Sequence, residues 1–358
     1  MALINSADEN NITFMRPAYF IISGFIGIPN IRYYFVFLCF IYILAVVGNT
    51  LVMIVITLDH TLRSPKYIAV FNLAFTDLLS SSSLMPKVLD IFLFNHYYIS
   101  YNDCLAFMFF SFTFYAMQAF NLVVLSFDRV MAIMYPLHYQ MRVSHKLILS
   151  LIAFFWLLAI TLILIEVGLL TRLSFCKSVV IQSYFCDHGP IYRLGCNDIT
   201  PNLAIGRLAP VIFLGFPLAF IVGSYCCIGY SLSKISTFRE RVKAFKTCTG
   251  HLSLVAIYFL PVTFVFLSLT QFPWFFPRVV VVCLILKEIF TPYHSNQIAL
   301  RGREVDVSLN VVGAVQEDAA NKVTQLHSEF HVYYYICKIP QILSWLYHFI
   351  LLYLSATP

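Results

Sequence analysis

Asp128 and Arg129 stand side by side where a long apolar run gives way to Pro136-Leu137-His138-Tyr139. A carboxylate beside a guanidinium at such a boundary forms an ion pair that a partner can break; the plainer reading is an interfacial anchor, which explains Arg129 alone. Two more polar residues interrupt apolar sequence: Asn49 after Gly48, and Asp77 in Leu73-Ala74-Phe75-Thr76-Asp77. In a low-dielectric interior a lone carboxylate needs a partner or a proton. Asn49 reads equally well as a satisfied interhelical hydrogen bond. Lys87 lies near the end of its run and reads as a side chain snorkelling to the interface. Lys246 and His251 flank the start of a later apolar run, where they can exchange partners or charge, although a histidine there packs more often than it switches. His327 and His331 have i,i+4 spacing but no third ligand, so no metal site is expected. No nucleophile elbow, phosphate loop or carboxylate pair occurs, which points away from an enzyme.

The elements that carry these residues are membrane spans. Of 358 residues, 60% are hydrophobic and 11% charged, against roughly 25% charged in a soluble protein. Apolar runs near 34–58, 67–93, 104–127, 147–170, 208–232 and 248–272 each reach the roughly 20 residues a bilayer requires, and helices satisfy their own backbone there. Arg63 and Lys66, Arg142 and Lys146, then Lys234, Arg239, Arg241, Lys243 and Lys246 fall in alternate loops. The positive-inside rule makes those loops cytoplasmic and the N-terminus extracellular. Asn11-Ile12-Thr13 is a glycosylation sequon on the outer side. The first 20 residues carry Asp8 and Glu9 where a signal peptide would be apolar, so the first helix is expected to act as signal anchor. The net charge of +6 is spread over three loops; it suits an anionic lipid leaflet and makes no nucleic-acid patch.

Ten cysteines divide by position. Cys39, Cys226, Cys227, Cys248 and Cys283 lie in or beside apolar runs and read as small buried hydrophobes. Cys104, Cys176, Cys186 and Cys196 fall on the outer side, where disulfides persist, and their spacing alone leaves three pairings open.

Residues 124–139, Val-Leu-Ser-Phe-Asp-Arg-Val-Met-Ala-Ile-Met-Tyr-Pro-Leu-His-Tyr, closely resemble the third-helix exit of olfactory receptors, which runs near M-A-Y-D-R-Y-V-A-I-C-x-P-L-H-Y. Lys243-Ala244-Phe245-Lys246-Thr247-Cys248-Thr249-Gly250-His251-Leu252 resembles that family's K-A-x-x-T-C-x-S-H-L, with Gly250 for Ser. Leu62-Arg63-Ser64-Pro65-Lys66-Tyr67 is a looser match to L-H-x-P-M-Y, and Ser224-Tyr225 completes the set. The chain is thus similar to the odorant-type members of the rhodopsin-like G-protein-coupled receptors over about residues 11–275.

The resemblance implies an all-α, rhodopsin-like seven-helix membrane bundle and the pairings Cys104 with Cys186 and Cys176 with Cys196. Asn49 and Asp77 become a polar core of water and often sodium, and no other cofactor is expected. Asp128, Arg129, Tyr225, Lys246 and His251 become the switch that admits a heterotrimeric G-protein. A ligand would sit between the outer halves of the third, fifth, sixth and seventh helices. Facing positions there are Met108, Ser111, Phe112 and Tyr115, then Ala209 and Phe213, then Phe259, Thr263 and Phe266. This lining suits a small, mostly apolar molecule. Ser111 occupies the position that in amine receptors carries an acid, which argues against an amine anchored there.

The far end departs from the pattern. After Pro277-Arg278 only eight apolar residues, Val279–Leu286, precede Lys287-Glu288, too few to span, and no P-x-L-N-P-x-I-Y follows. The expected organisation is an extracellular segment at 1–33, a bundle at 34–291 with a truncated seventh element at 279–291, a polar linker at 292–331, and an apolar segment at 332–355 that is a candidate substitute span. The function expected is an odorant receptor at the plasma membrane acting through a stimulatory, olfactory-type G-protein and cyclic AMP. The alternative is a non-signalling, receptor-like membrane protein from a defective or mis-predicted coding sequence lacking the true seventh helix. A transporter or channel fits less well, since no half-to-half repeat is visible.

Overall fold

The computed structural model of the chain describes residues 15–24, 31–183, 185–234, 248–256 and 258–260. The chain divides into two compact units, 1–300 and 301–358, and the described residues belong to the first. Asn11, Lys246, Thr263, Phe266, Cys283 and the expected elements at 279–291, 292–331 and 332–355 lie outside the described residues.

Five long helical spans form the frame: α1 (Ile31–Leu58), α2 (Pro65–Leu93), α3 (Tyr101–Met134), α5 (His145–Thr171), and a fifth built of α7 (Thr200–Pro210), a π-helical turn Val211–Gly215 and α8 (Phe216–Ser233). All five are long and apolar enough to cross a bilayer. Residues 248–256 and 258–260 are helical and give α9. Two short helices, α4 (Tyr139–Arg142) and α6 (His188–Tyr192), lie in loops.

Local chemistry sets the ends. Pro65 opens α2 after Ser64, in the first helical turn where its missing N–H costs nothing. Ser100 and Ser144 cap α3 and α5 by accepting from the amides of Asp103 and Leu147 at 3.1 and 3.2 Å. Beyond α2, Asn95 turns the chain with φ 60°, a left-handed conformation asparagine tolerates. The helix α3 does not stop at residue 127 as expected from the apolar run. It continues to Met134 because Val130–Met134 stays helix-compatible until Pro136 restricts Tyr135, so Asp128 and Arg129 lie inside the last two turns.

One stripe of each helix faces inward. On α5 it runs Ile148, Ile152, Phe155, Ala159, Ile163, Glu166, Leu170, the i,i+3/i+4 spacing of an amphipathic face. The outward faces are also apolar, with Phe40, Val47 and Ile54 on α1 and Phe154, Leu157 and Leu164 on α5 exposed, as suits helices that meet lipid. The helix α3 is the centre: 72% of its most apolar window is buried, against 28% for α5. Around it Ala116, Phe120, Val123 and Val124 pack with Val70, Ala74, Phe155 and Ile221, and Phe120 stacks on Phe155 at 4.6 Å. Cys226 and Cys227 are exposed on α8 rather than buried, because they fall on its outward face; Cys39 is half-buried and Cys248 buried.

At the end of the bundle where α3 begins, a three-stranded sheet closes over the helices. The strand β1 (Tyr19–Ile22) lies between β2 (Tyr98–Ser100), antiparallel with Phe20 opposite Ile99, and β3 (Val180–Ile181), parallel with Ile22 opposite Ile181. Phe20, Ile22, Ile99 and Ile181 are buried beneath it, and Phe20 meets Tyr101 and Phe175 at 5.9 and 5.5 Å. Disulfides Cys104–Cys186 and Cys176–Cys196, with Cα separations of 5.6 and 6.0 Å, fasten the same region. Gly195 makes the second closure feasible, since a Cβ there would stand 3.1 Å from the Tyr192 carbonyl oxygen.

Candidate functional site

Two polar clusters and one aromatic region lie along α3. Nearest its last turns, Asp128 is buried and accepts a hydrogen bond from the Tyr139 hydroxyl at 2.5 Å, while its other oxygen pairs with Arg129 at 3.2 Å. The short helix α4 therefore docks onto the acid through Tyr139. Close by, His251 of α9 bridges α3 and α8. Its Nε2 lies 3.1 Å from the Leu122 carbonyl and its Nδ1 2.7 Å from the Tyr225 hydroxyl. A carbonyl only accepts, so Nε2 carries the hydrogen and the neutral ring accepts from Tyr225 at Nδ1. The ring also stacks on Tyr225, with centroids 5.8 Å apart. The Arg129 charge acts on both Tyr225 and His251. Seven residues further along each helix, Tyr258 donates to the Tyr115 carbonyl at 2.9 Å, so α9 is fastened to α3 at two levels in antiparallel register.

The second cluster sits deeper. Gln118 donates to Asp77 at 2.7 Å. One turn along, Asn72 donates to Asn121 at 2.5 Å, Asn121 donates to Thr76 at 2.9 Å, and Trp156 donates to Asn72 at 3.3 Å. Three helices, α2, α3 and α5, are thereby tied by side-chain amides. Asn49 is buried on α1 with neither amide atom hydrogen-bonded among the described residues, so Asn49 does not bond Asp77 as Gln118 does. Lys87 pairs with Asp90 at 3.0 Å, and His96 meets the same carboxylate at 3.0 Å.

The expected ligand positions separate by depth. Phe112 faces Phe185, the residue before Cys186, with centroids 6.3 Å apart, and Phe107 meets the same ring at 6.3 Å. Met108 is fully buried on the same helix. Ser111 turns toward α2, its hydroxyl 3.4 Å from that of Ser83. Tyr115 is engaged by Tyr258 through its carbonyl, and Phe259 packs edge-on to Tyr258 at 4.9 Å in the main core. Phe213, in the π-helical turn, points to Phe120 at 6.0 Å, and Ala209 is buried one turn before it.

A family profile described as “Olfactory receptor” matches residues 38–312. The chain belongs to the olfactory receptor family. Olfactory receptor 1E16 of Mus musculus is 38% identical over 227 residues, 63% of this chain and 72% of that one. Olfactory receptor 52N1 of Homo sapiens is 32% identical over 259 residues, 72% of this chain and 81% of that one. The fold is also that of squid rhodopsin, with a TM-score of 0.55 at 18% identity over 75% of this chain and 77% of the other. As an olfactory receptor it is a multi-pass, rhodopsin-like G-protein-coupled receptor and not an enzyme.

Several residues of this olfactory receptor escaped the sequence reading. Gln118, Asn72 and Asn121 are neutral amides inside apolar helices, and their signal was a cost to bury that only a partner offsets. Tyr139 belonged to the matched motif but its link to Asp128 needed the turn at Pro136. Glu166, an acid five residues before the end of α5, was the plainest missed signal. It is buried on the inward stripe.

Proposed function

We propose that this olfactory receptor binds a small, mostly apolar odorant beneath the disulfide-fastened loop and activates a stimulatory, olfactory-type heterotrimeric G-protein that raises cyclic AMP. The observation that carries the reading is the lock at the last turns of α3, where Asp128, Arg129, Tyr139, Tyr225, His251 and the Leu122 carbonyl join four elements. Such a lock is a two-state element: α9 can leave α3 and α8 only by giving up both His251 contacts, and Arg129, once it also leaves Asp128, then has a surface on which to meet a partner. In this reading the basic loops face the cytoplasm, the sheet and disulfides face outward, and the receptor works at the plasma membrane. Met108, Phe112 and Tyr115 are the wall against which the ligand is buried, with Ala209, Phe213 and Phe259 as its further contacts. Asn49 and Asp77 supply a polar floor able to hold water or a sodium ion.

The test is cyclic AMP in cells displaying the full chain, challenged with a panel of small volatile alcohols, aldehydes, esters and amines. A concentration-dependent rise that Arg129→Ala abolishes without loss of surface display supports the reading. Silence from a displayed receptor across the panel favours the second reading, a receptor-like membrane protein that does not signal. That second reading rests on the sequence after residue 278, which lacks the Asn-Pro and Tyr of a complete seventh helix.

A further inference from the structure

At the end of the bundle opposite the sheet, α1 gives way to a short 3-10 turn, His60–Leu62, and Pro65 then opens α2. An open groove of about 350 Å³ lies here, with apolar walls that include Ile56 of α1 and Tyr67, Ile68 and Phe71 of α2. Its polar residues are Arg63 and His145, both exposed. Hydrogen bonds hold this rim in place. His145 Nε2 lies 2.5 Å from the Arg63 carbonyl, which only accepts, so Nε2–H donates and ties the start of α5 to the loop. The Arg63 guanidinium donates to His60 Nδ1 at 2.5 Å, and it has no carboxylate partner among the described residues. A guanidinium has five N–H groups, so donors remain for a further acceptor. Lys66 stands over the ring of Tyr67, 4.8 Å from its centroid, which brings a second cation to a wall of the groove. No lining residue is acidic. Asp59, the acid of this loop, accepts from the Thr61 amide and hydroxyl at 2.9 and 2.7 Å.

These two cations are also where the segment departs from the family pattern. Leu62-Arg63-Ser64-Pro65-Lys66-Tyr67 differs from L-H-x-P-M-Y only at Arg63 and Lys66. Apolar walls beside fixed positive charge suit a molecule with hydrocarbon at one end and an anion at the other. We propose that the groove is a site for one anionic glycerophospholipid of the inner leaflet. An acyl chain lies along Ile56, Ile68 and Phe71, and the phosphate meets Arg63 and Lys66. A guanidinium fork matches phosphate oxygens with paired donors, whereas a sterol or a zwitterionic lipid brings these cations no net charge. From the receptor reading the assignment takes only the side of the membrane on which these loops lie.

The test uses the full chain in phosphatidylcholine nanodiscs that carry a minor share of a photoreactive lipid, either a phosphatidylserine or a phosphatidylcholine with a diazirine in the same acyl chain. Labelled positions are mapped by mass spectrometry. The serine lipid should label Ile56 and residues 67–71 about 30-fold more than the choline lipid does, the scale of roughly 1 kcal/mol for each of two basic residues at an anionic surface. Lys66→Met should lower that labelling about fivefold. Arg63→His with Lys66→Met, which restores the family pattern, should bring it to the level of the choline lipid, while Arg63→Lys with Lys66 intact should keep it. In the unaltered chain, unlabelled phosphatidylserine should displace the probe, and cholesterol or free glycerol phosphate should not. Equal labelling by the two lipids overturns the site. So does labelling by the serine lipid that the double substitution leaves intact, or displacement by cholesterol or glycerol phosphate. Nanodiscs present phosphatidylserine on both faces and hold no G-protein, so the outcome is independent of the chain's orientation and of any cyclic AMP response.

Discussion

Replacing His251 by phenylalanine keeps an aromatic ring against Tyr225 but removes both polar links of α9 at this level. The Nε2–H bond to the Leu122 carbonyl, 3.1 Å, and the bond from the Tyr225 hydroxyl, 2.7 Å, are each worth about 1 kcal/mol net. Tyr225 keeps its longer contact with the Cys248 carbonyl at 3.5 Å, which limits the penalty for its stranded hydroxyl. If these bonds exist only in the resting arrangement, losing about 2 kcal/mol shifts the equilibrium roughly 30-fold toward the open form. A receptor open about 1% of the time would then be open about a quarter of the time. The assay is ligand-free cyclic AMP normalised to surface-labelled receptor. Tyr225→Phe removes one bond and should give a rise of about fivefold. Basal cyclic AMP that stays at the unaltered level in a displayed His251→Phe receptor would refute the reasoning, because the lock would then be present in both states.

Three other outcomes follow from the geometry. Removing the Cys104–Cys186 bridge, which closes 82 residues, should cost about 4.5 kcal/mol, against about 3.3 kcal/mol for Cys176–Cys196, which closes 20; heat stability of the two Cys→Ser pairs in detergent ranks them. Gln118→Leu takes the 2.7 Å donor from Asp77 and should destabilise by roughly 2 kcal/mol, with part of the loss recovered when Asp77→Asn is added; thermal midpoints of the single and double variants measure this. For His188 the folded pKa of about 4 lies below its ordinary 6.5. The unfolded chain therefore takes up the proton first, stability is full above about pH 6.5, and it falls as pH drops toward 4 by at most roughly 3 kcal/mol. His188→Gln should flatten the midpoint between pH 7.5 and 5 relative to the unaltered chain, and an unchanged pH slope would show that His188 is not the group responsible.

Much of the frame was legible because lipid imposes it. Runs of apolar residues long enough to span could only be helices, and the helical stripes Leu38-Ile41-Ala45-Asn49-Val52 and Ile148–Leu170 are visible in the sequence once the period is known. The run lengths misplaced some ends, since hydropathy falls at Asp128 while the helix continues to Met134. The π-helical turn at Val211–Gly215 left no hydropathy signal; Pro210 and Pro217 bracket it. The Asp128–Arg129 pair and the His251 position came from motif and spacing. Tyr225 came from the same motif set, but the contacts did not, because Tyr139 reaches Asp128, and His251 reaches Tyr225 and the Leu122 carbonyl, only after the helices have packed. The sheet over the outer mouth was hidden for a similar reason: β1, β2 and β3 are two to four residues long and come from segments far apart in the chain. Glu166 was visible as an acid within Leu162–Leu170, and only its inward direction on α5 needed the structure.

The most direct test of the account is nucleotide exchange on a purified stimulatory heterotrimer mixed with the full chain in nanodiscs. The account predicts that the chain accelerates exchange, that His251→Phe accelerates it further without ligand, and that Arg129→Ala abolishes it. A folded chain that leaves the exchange rate at the level of empty nanodiscs, with and without the His251 substitution, would contradict it.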